Sequence, residues 1–348
     1  MNKKLSVIIP VFLLLLFSGS GFWSPGIFCQ TEIKLLKNDY PVNLNGKIKL
    51  NKKNVIKLQG LEKDNIYVDK VFAVAADKNG SIYFCGSGNQ VVVLNKEGKL
   101  SGTFGNTGEG PGEFKGTNNL KVDEMLNIYV LDGNLKRISL FDSKYVFKKS
   151  IKYSGLASDF DVHDPSAIYV SFYGFAQIDN LVSIYDIDAG KKTSFVQNSK
   201  EVGKIHMSGN GGKVKVLNDK SILYADPYPY QIQKYNPGNS LEFVLEMKRK
   251  EFVGLTKQAQ QIGHQLKGSE LINRISQIST VLNKYIVVDC TINSAHVLDF
   301  FTINGKYISS CELQKGHELG DIAGNILYTF TRGGDDYPEI SVWEIVEK

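Results

Sequence analysis

The 348 residues, 42% apolar and 22% charged, are ordinary globular material, enough for one large all-β domain or two smaller ones and incompatible with disorder or a collagen-like chain. Removing Lys3 and Lys4 of the leader takes the 41 basic residues to 39 against 36 acidic ones, a net charge near +3, which leaves no nucleic-acid footprint. Thirty-three glycines against nine prolines, with 17 tyrosines and 19 phenylalanines, favour short strands joined by glycine turns.

Lys3 and Lys4 precede a thirteen-residue apolar run, Leu5 to Phe17, and then Ser18-Gly19-Ser20-Gly21. This is the layout of a secretory signal peptide over residues 1–21, cleaved near Ser20 or Gly21. The run falls short of the roughly 20 apolar residues that cross a bilayer, although Phe22, Trp23, Ile27 and Phe28 would lengthen an uncleaved anchor. Cys29 follows Gly26-Ile27-Phe28, a poor lipidation signal. Membrane attachment is therefore expected only through an uncleaved or lipidated N-terminus. Cys29, Cys85, Cys290 and Cys311 show no CxxC pairing, and isolated buried thiols are preferred over a disulfide, which an oxidising compartment permits but does not demand.

Beyond a linker over residues 22–47, the chain repeats. Ala76-Asp77-Lys78-Asn79-Gly80-Ser81-Ile82-Tyr83 aligns without gaps with Val122-Asp123-Glu124-Met125-Leu126-Asn127-Ile128-Tyr129. Each Asp stands before a strand, where its carboxylate can hold a hairpin turn. The strand anchor returns at Ile168-Tyr169, Ile222-Leu223-Tyr224, Tyr285-Ile286 and Ile326-Leu327-Tyr328, giving six copies. Each is followed by a partner strand, such as Ile138 to Phe141 or Ile340 to Trp343, then by a turn and a further strand. Four strands in about 40 to 50 residues is the dimension of a propeller blade. The expected fold is an all-β six-bladed β-propeller of four-stranded blades over residues 48–348. The sixth copy ends at Lys348 directly after its third strand, so Ile48 to Leu58 is expected to supply the missing outer strand and close the ring.

The segment Phe104-Gly105, Gly108-Glu109-Gly110-Pro111-Gly112-Glu113-Phe114, Val122-Asp123, Asn127 to Val130, Asp132 and Arg137 to Asp142 resembles an NHL repeat. The chain as a whole resembles the six-bladed propeller proteins exported by Bacteroidetes and similar bacteria, in the NHL or TolB-like style. Only the second blade matches the NHL pattern closely; the later ones lose the Gly-Pro-Gly loop.

Alternating strand direction brings the connections between blades and the loops between second and third strands onto one face. That loop face gathers Gly105 to Gly116, with Glu109 and Glu113, Asp132, Asp226 and Asp289 after second strands, and the Gly203 to Gly212 segment. These five acidic residues are the candidate ligand-binding set. An insertion near 254–275, with Leu255, Ala259, Ile262 and Leu266 at helical spacing and Thr256 at its start, reads as a helix across that face.

Asp159, Asp161 and His163 alternate in the innermost strand of blade three, where all three could point into the central channel. Six-bladed lactonases of the gluconolactonase type bind a divalent metal there, so the resemblance implies these three as a candidate metal set. His163 also aligns with the turn Asp of blades one and two, and turn chemistry is the favoured reading. The remaining histidines show neither metal-ligand spacing nor a nucleophile partner. The expected function is a monomeric, exported, non-enzymatic binding propeller, periplasmic, envelope-associated or secreted, that holds a protein, peptide or glycan and needs no cofactor. The alternative is a metal-dependent hydrolase or lactonase with its site at the channel mouth.

Overall fold

The computed structural model describes residues 33–39, 46–174, 179–190, 192–197, 211–227, 230–249, 251–252 and 273–348. The leader, Cys29 and most of the expected helical insertion lie outside these residues. Of that insertion, Asn273, Arg274 and Ile275 are described, and the last two already belong to a strand, Arg274–Val281.

Six blade sheets follow one another along the chain, each built on four antiparallel strands, and one of them gains a fifth. Blade one comprises Val71–Ala76, Ile82–Gly86, Val91–Leu94 and Leu100–Phe104. The innermost strands of the other five are Thr117–Val122, Ala157–Val162, Lys213–Val216, Arg274–Val281 and His317–Ala323. All six sequence anchors fall in second strands, which are buried on both faces, as in Ile82–Gly86, Ile128–Asp132 and Ile222–Asp226. A strand sandwiched between two neighbouring blades has no wet face, so its apolar residues run continuously. Outer strands such as Leu100–Phe104 alternate between half-buried and exposed residues, as one-sided packing dictates.

The hydrophobic core is divided among the seams. Among the described residues, six apolar clusters form, one for each neighbouring pair of blades. Phe114, for example, lies fully buried between blades one and two, and Phe160 between blades two and three. No blade can bury its faces alone, so stability depends on completing the ring.

Ile48–Lys57 pairs antiparallel with Glu339–Glu347 and becomes the outer strand of blade six, as the missing strand of the sixth repeat requires. A second N-terminal strand, Lys34–Asp39, adds in parallel to Leu241–Lys248 and makes blade four five-stranded; no repeat element announces it. From within Lys34–Asp39, Asn38 reaches blade five, donating from Nδ2 to Gly305 O (3.0 Å) and accepting from Tyr307 N (3.1 Å). The N-terminal stretch thus engages the rims of blades four, five and six.

Turn carboxylates do the work expected of them. Asp77 accepts from the Asn79 and Ser81 amides and the Tyr83 hydroxyl, and Asp123 accepts from Met125, Asn127 and the Tyr129 hydroxyl. In blade three the equivalent turn is held by Asp164, which accepts from Ser166 N at 2.9 Å; His163, one residue earlier, leaves this role to it. Cys85, Cys290 and Cys311 are free thiols. Cys85 lies in the seam between blades one and two and Cys290 in that between blades four and five, so they do not meet.

Candidate functional site at the channel mouth

The loop face is assembled by backbone bonds between connections and loops. Gly133 N donates to Gly116 O, Tyr173 N to Leu156 O, Ser87 N to Lys70 O, Met247 N to Tyr230 O and Val71 N to Arg332 O. In the first three pairs, one partner belongs to a connection between blades and the other to the loop after a second strand; Met247 and Val71 are strand residues next to a connection, each bonded to the loop after a second strand. One face therefore carries both kinds of irregular chain.

The Gly105 to Gly116 loop of that face is held by many side-chain and backbone bonds. Gly105 sits at φ +80°, and a Cβ there would stand 2.2 Å from the Phe114 ring, so glycine is required both for the turn and for the plug beneath it. The Arg137 guanidinium donates to three loop carbonyls, Glu109 O (2.9 Å), Gly110 O (2.9 Å) and Glu113 O (2.6 Å). Glu113 Oε2 accepts from Gly110 N at 2.7 Å. Asp132, fully buried, accepts from Lys115 N with one oxygen and from Asn134 N and Leu135 N with the other. Asp132 and Glu113 therefore hold backbone, while Glu109 is exposed and pairs with Lys115.

At the centre of the same face the channel opens in a polar recess of about 90 Å³. Its walls include Asn118 and Asn119 of blade two, Gln277 and Asp289 of blade five, and Glu318 and Arg332 of blade six. Asp289 is the one member of the five-residue candidate set that lines it. Its carboxylate accepts from His296 Nδ1 at 2.8 Å and more weakly from Leu319 N of the next blade at 3.4 Å. Burial would lower the pKa of this imidazole, but Asp289 outweighs it and holds the ring above its ordinary value. With Nδ1 committed, His296 Nε2 has no partner among the described residues. Beside it, Arg332 grips Glu318 through Nε (2.5 Å) and Nη2 (2.7 Å), the two-pronged arrangement that suits guanidinium and carboxylate. Asp226 is buried at the end of its strand opposite Gln231, away from this lining.

Below the recess, carboxylates clamp one innermost strand to the next. Asp159 accepts from Val214 N (3.2 Å) and Asn119 Nδ2 (2.8 Å), and Asp161 from Val216 N (2.8 Å). Asp161 also pairs with Lys215 at 3.1 Å, and Asp321 accepts from Ala76 N at 3.0 Å. Burial acts to lower the Lys215 pKa, but Asp161 and Asp321 together raise it. These carboxylates fit the clamping of strands better than a divalent cation, because their oxygens face amide hydrogens of the neighbouring blade. His163 lies beyond the end of the strand, and Asp159, Asp161 and His163 are not grouped as a metal site. Among the described residues, no group of three acidic, His or Cys side chains could hold a metal ion.

Sequence reasoning missed Asn119, Lys213, Lys215, Gln277, Glu318 and Arg332. One signal was present: Lys213-Val214-Lys215-Val216 alternates strictly, which in an innermost strand puts both lysines on one side. Nothing in the sequence placed Arg332 opposite Glu318, since that pairing depends on the second strand of blade six ending beside its first.

Residues 55–265 match the model of the family described as 6-bladed beta-propeller, well over half of the chain. The chain belongs to that family. A protein from Bacteroides fragilis, named as supposed to be exported, has 14% identity and a TM-score of 0.60, covering 90% of this chain and 99% of its own. A member of a domain-of-unknown-function family from Bacteroides vulgatus gives 8% identity and a TM-score of 0.61 over 88% and 100%. The virginiamycin B lyase from Staphylococcus aureus gives 8% and 0.53 over 86% and 100%. At such identities the likeness is one of fold. No curated protein matches the sequence. Among the described residues of this family member, no helix is long and apolar enough to cross a membrane.

Proposed function

We propose that this propeller is exported by its N-terminal signal, acts in the periplasm or at the cell envelope, and binds a protein, peptide or glycan through its loop face without catalysing a reaction. The observation that carries this reading is the convergence of polar side chains from blades two, five and six on a recess at the channel mouth. Ligand sites in ring-shaped folds favour such mouths, where loops from several repeats reach one point. The rigid Gly105 to Gly116 loop supplies a fixed wall beside it, already ordered before a partner arrives.

The test is a screen of the mature protein on peptide and glycan arrays, repeated with Asn118→Trp and Gln277→Trp, which crowd the mouth, and with Lys96→Trp on a turn of the opposite face. Loss of signal in the first two with retention in the third is the expected result. Equal binding by all three variants would remove the loop face from the function. The hydrolase alternative draws on Asp159, Asp161, His163, Asp226 and Asp289, and their separation favours binding over metal-dependent chemistry.

A further inference from the structure

We propose that the channel-mouth recess takes a compact oxyanion, the carboxylate or phosphate group of a ligand, with Lys213, Gln277 and Arg332 as its donors. This rests on the loop-face binding reading and specifies the chemistry of its central contact.

The channel is layered in charge. In the lower layer Lys215 is neutralised by Asp161 at 3.1 Å, with Asp321 close enough to raise its pKa as well. Two residues nearer the mouth, Lys213 has, among the described residues, a single hydrogen bond, to the Ser158 carbonyl at 3.3 Å. The carboxylate whose charge acts on it, Asp159, already accepts from Val214 N and from Asn119 Nδ2. Asn119 itself lines the recess, so one chain of contacts links the recess to the strand that carries Lys213. The charges of Lys121, Arg274 and Arg332, from three other blades, bear on the Lys213 ammonium. Burial first, and then these like charges, lower its pKa against the pull of Asp159. An anion among these groups relieves a repulsion that the protein leaves unrelieved.

The hydrogen-bond inventory points the same way. The carboxylates at the mouth are engaged, Asp289 by His296 and Glu318 by Arg332. What remains unpartnered among the described residues is Arg332 Nη1 and the side-chain amides of Asn118 and Gln277 in the lining, and, outside the lining, the weakly held ammonium of Lys213. With both lining carboxylates already paired and the Asn118 and Gln277 amides able to turn their NH2 groups inward beside Arg332 Nη1, the recess can receive an acceptor ligand. Its volume of about 90 Å³ equals the liquid share of roughly three waters, which a carboxylate or phosphate group fills while the rest of its ligand lies over the loop face.

The experiment titrates the mature protein with sodium acetate and with sodium phosphate against sodium chloride at matched ionic strength, reading thermal midpoint and calorimetric binding. At least one oxyanion is expected to raise the midpoint beyond chloride, and the stronger of the two assigns a carboxylate or a tetrahedral source. Lys213→Met should weaken that binding by about tenfold or more, the size of a lost charged hydrogen bond. Gln277→Glu, at a partly exposed position, keeps the fold and places a carboxylate where the anion would sit, so it should abolish the effect even if Lys213→Met folds poorly. No response beyond chloride, or wild-type affinity in Gln277→Glu, overturns the proposal. Array binding that is lost in Asn118→Trp while neither oxyanion acts overturns it too, and leaves the broader loop-face reading standing.

Discussion

Asp161 of blade three accepts a 2.8 Å hydrogen bond from the Val216 amide of blade four, tying two innermost strands together across their seam. The same carboxylate holds the Lys215 ammonium, so one buried side chain satisfies both a backbone donor and a charge. Asp159 and Asp321 repeat the device at other points. Apolar packing fills the seams but is indifferent to sliding of one blade along the next; a hydrogen bond from a fixed carboxylate to a fixed amide sets the register.

Asp161→Ala is therefore expected to cost about 3 kcal/mol, since it strands a partly buried lysine and an innermost-strand amide together. Chemical denaturation measures it. Adding Lys215→Met should recover part of the loss, because the stranded charge goes with it, and a double-mutant cycle separates that share from the amide's. A loss below about 0.5 kcal/mol for the single variant would show that the clamp contributes nothing beyond packing.

Arg137 makes a second prediction. Its three carbonyl contacts are arranged for a planar fork, and a lysine keeps the charge but cannot reach all three. Arg137→Lys should leave the global fold intact while raising amide exchange across Gly105 to Gly116. Unchanged protection there would mean that Asp132 and Phe114 suffice to hold the loop.

The Asp289–His296 pair predicts a pH effect with a definite sign. A histidine whose pKa is higher folded than unfolded adds stability that is fully present below the unfolded value, near 6.5, and is lost as pH rises through the folded value. Stability measured across that window should decline in the wild type, and the decline should flatten in His296→Gln. In Asp289→Asn the ring titration followed by NMR should fall below its ordinary value, since burial then acts without the opposing carboxylate. A titration unmoved by Asp289→Asn would break the link between the two residues.

The repeat made the fold readable because each blade must rebuild the same buried second strand, so Ile82, Ile128, Ile222 and their counterparts are written into the sequence six times. Turn chemistry is equally local: Asp77 and Asp123 bond amides two and four residues away. The channel mouth is not local. Asp289, His296, Glu318 and Arg332 meet only when blades five and six are docked, and the charges of Arg274 and Arg332 bear on Lys213 only in the closed ring. For the same reason Asp159 and Asp161 entered a candidate metal set along one strand, although each meets an amide more than 50 residues away. The extra strand Lys34–Asp39 was hidden because parallel addition at an outer edge asks only for a short, half-exposed segment and leaves no repeat signature.

The two N-terminal strands are distinct in consequence, and truncation should separate them. Ile48–Lys57 is antiparallel to Glu339–Glu347 over almost its whole length, and Ile48 and Ile56 contribute to the seams on either side of blade six. Deleting residues 30–58 exposes the edge of Glu339–Glu347 and opens both seams, so a single cooperative transition should be lost and aggregation should follow. Deleting only residues 30–45 removes the fifth strand of blade four and the Asn38 contacts to Gly305 and Tyr307, but leaves the ring closed. That shorter deletion should lower the thermal midpoint while keeping one sharp transition, and Asn38→Ala should reproduce part of the drop. If the longer deletion also melted as a single sharp transition, the ring would not depend on closure by its own N-terminus.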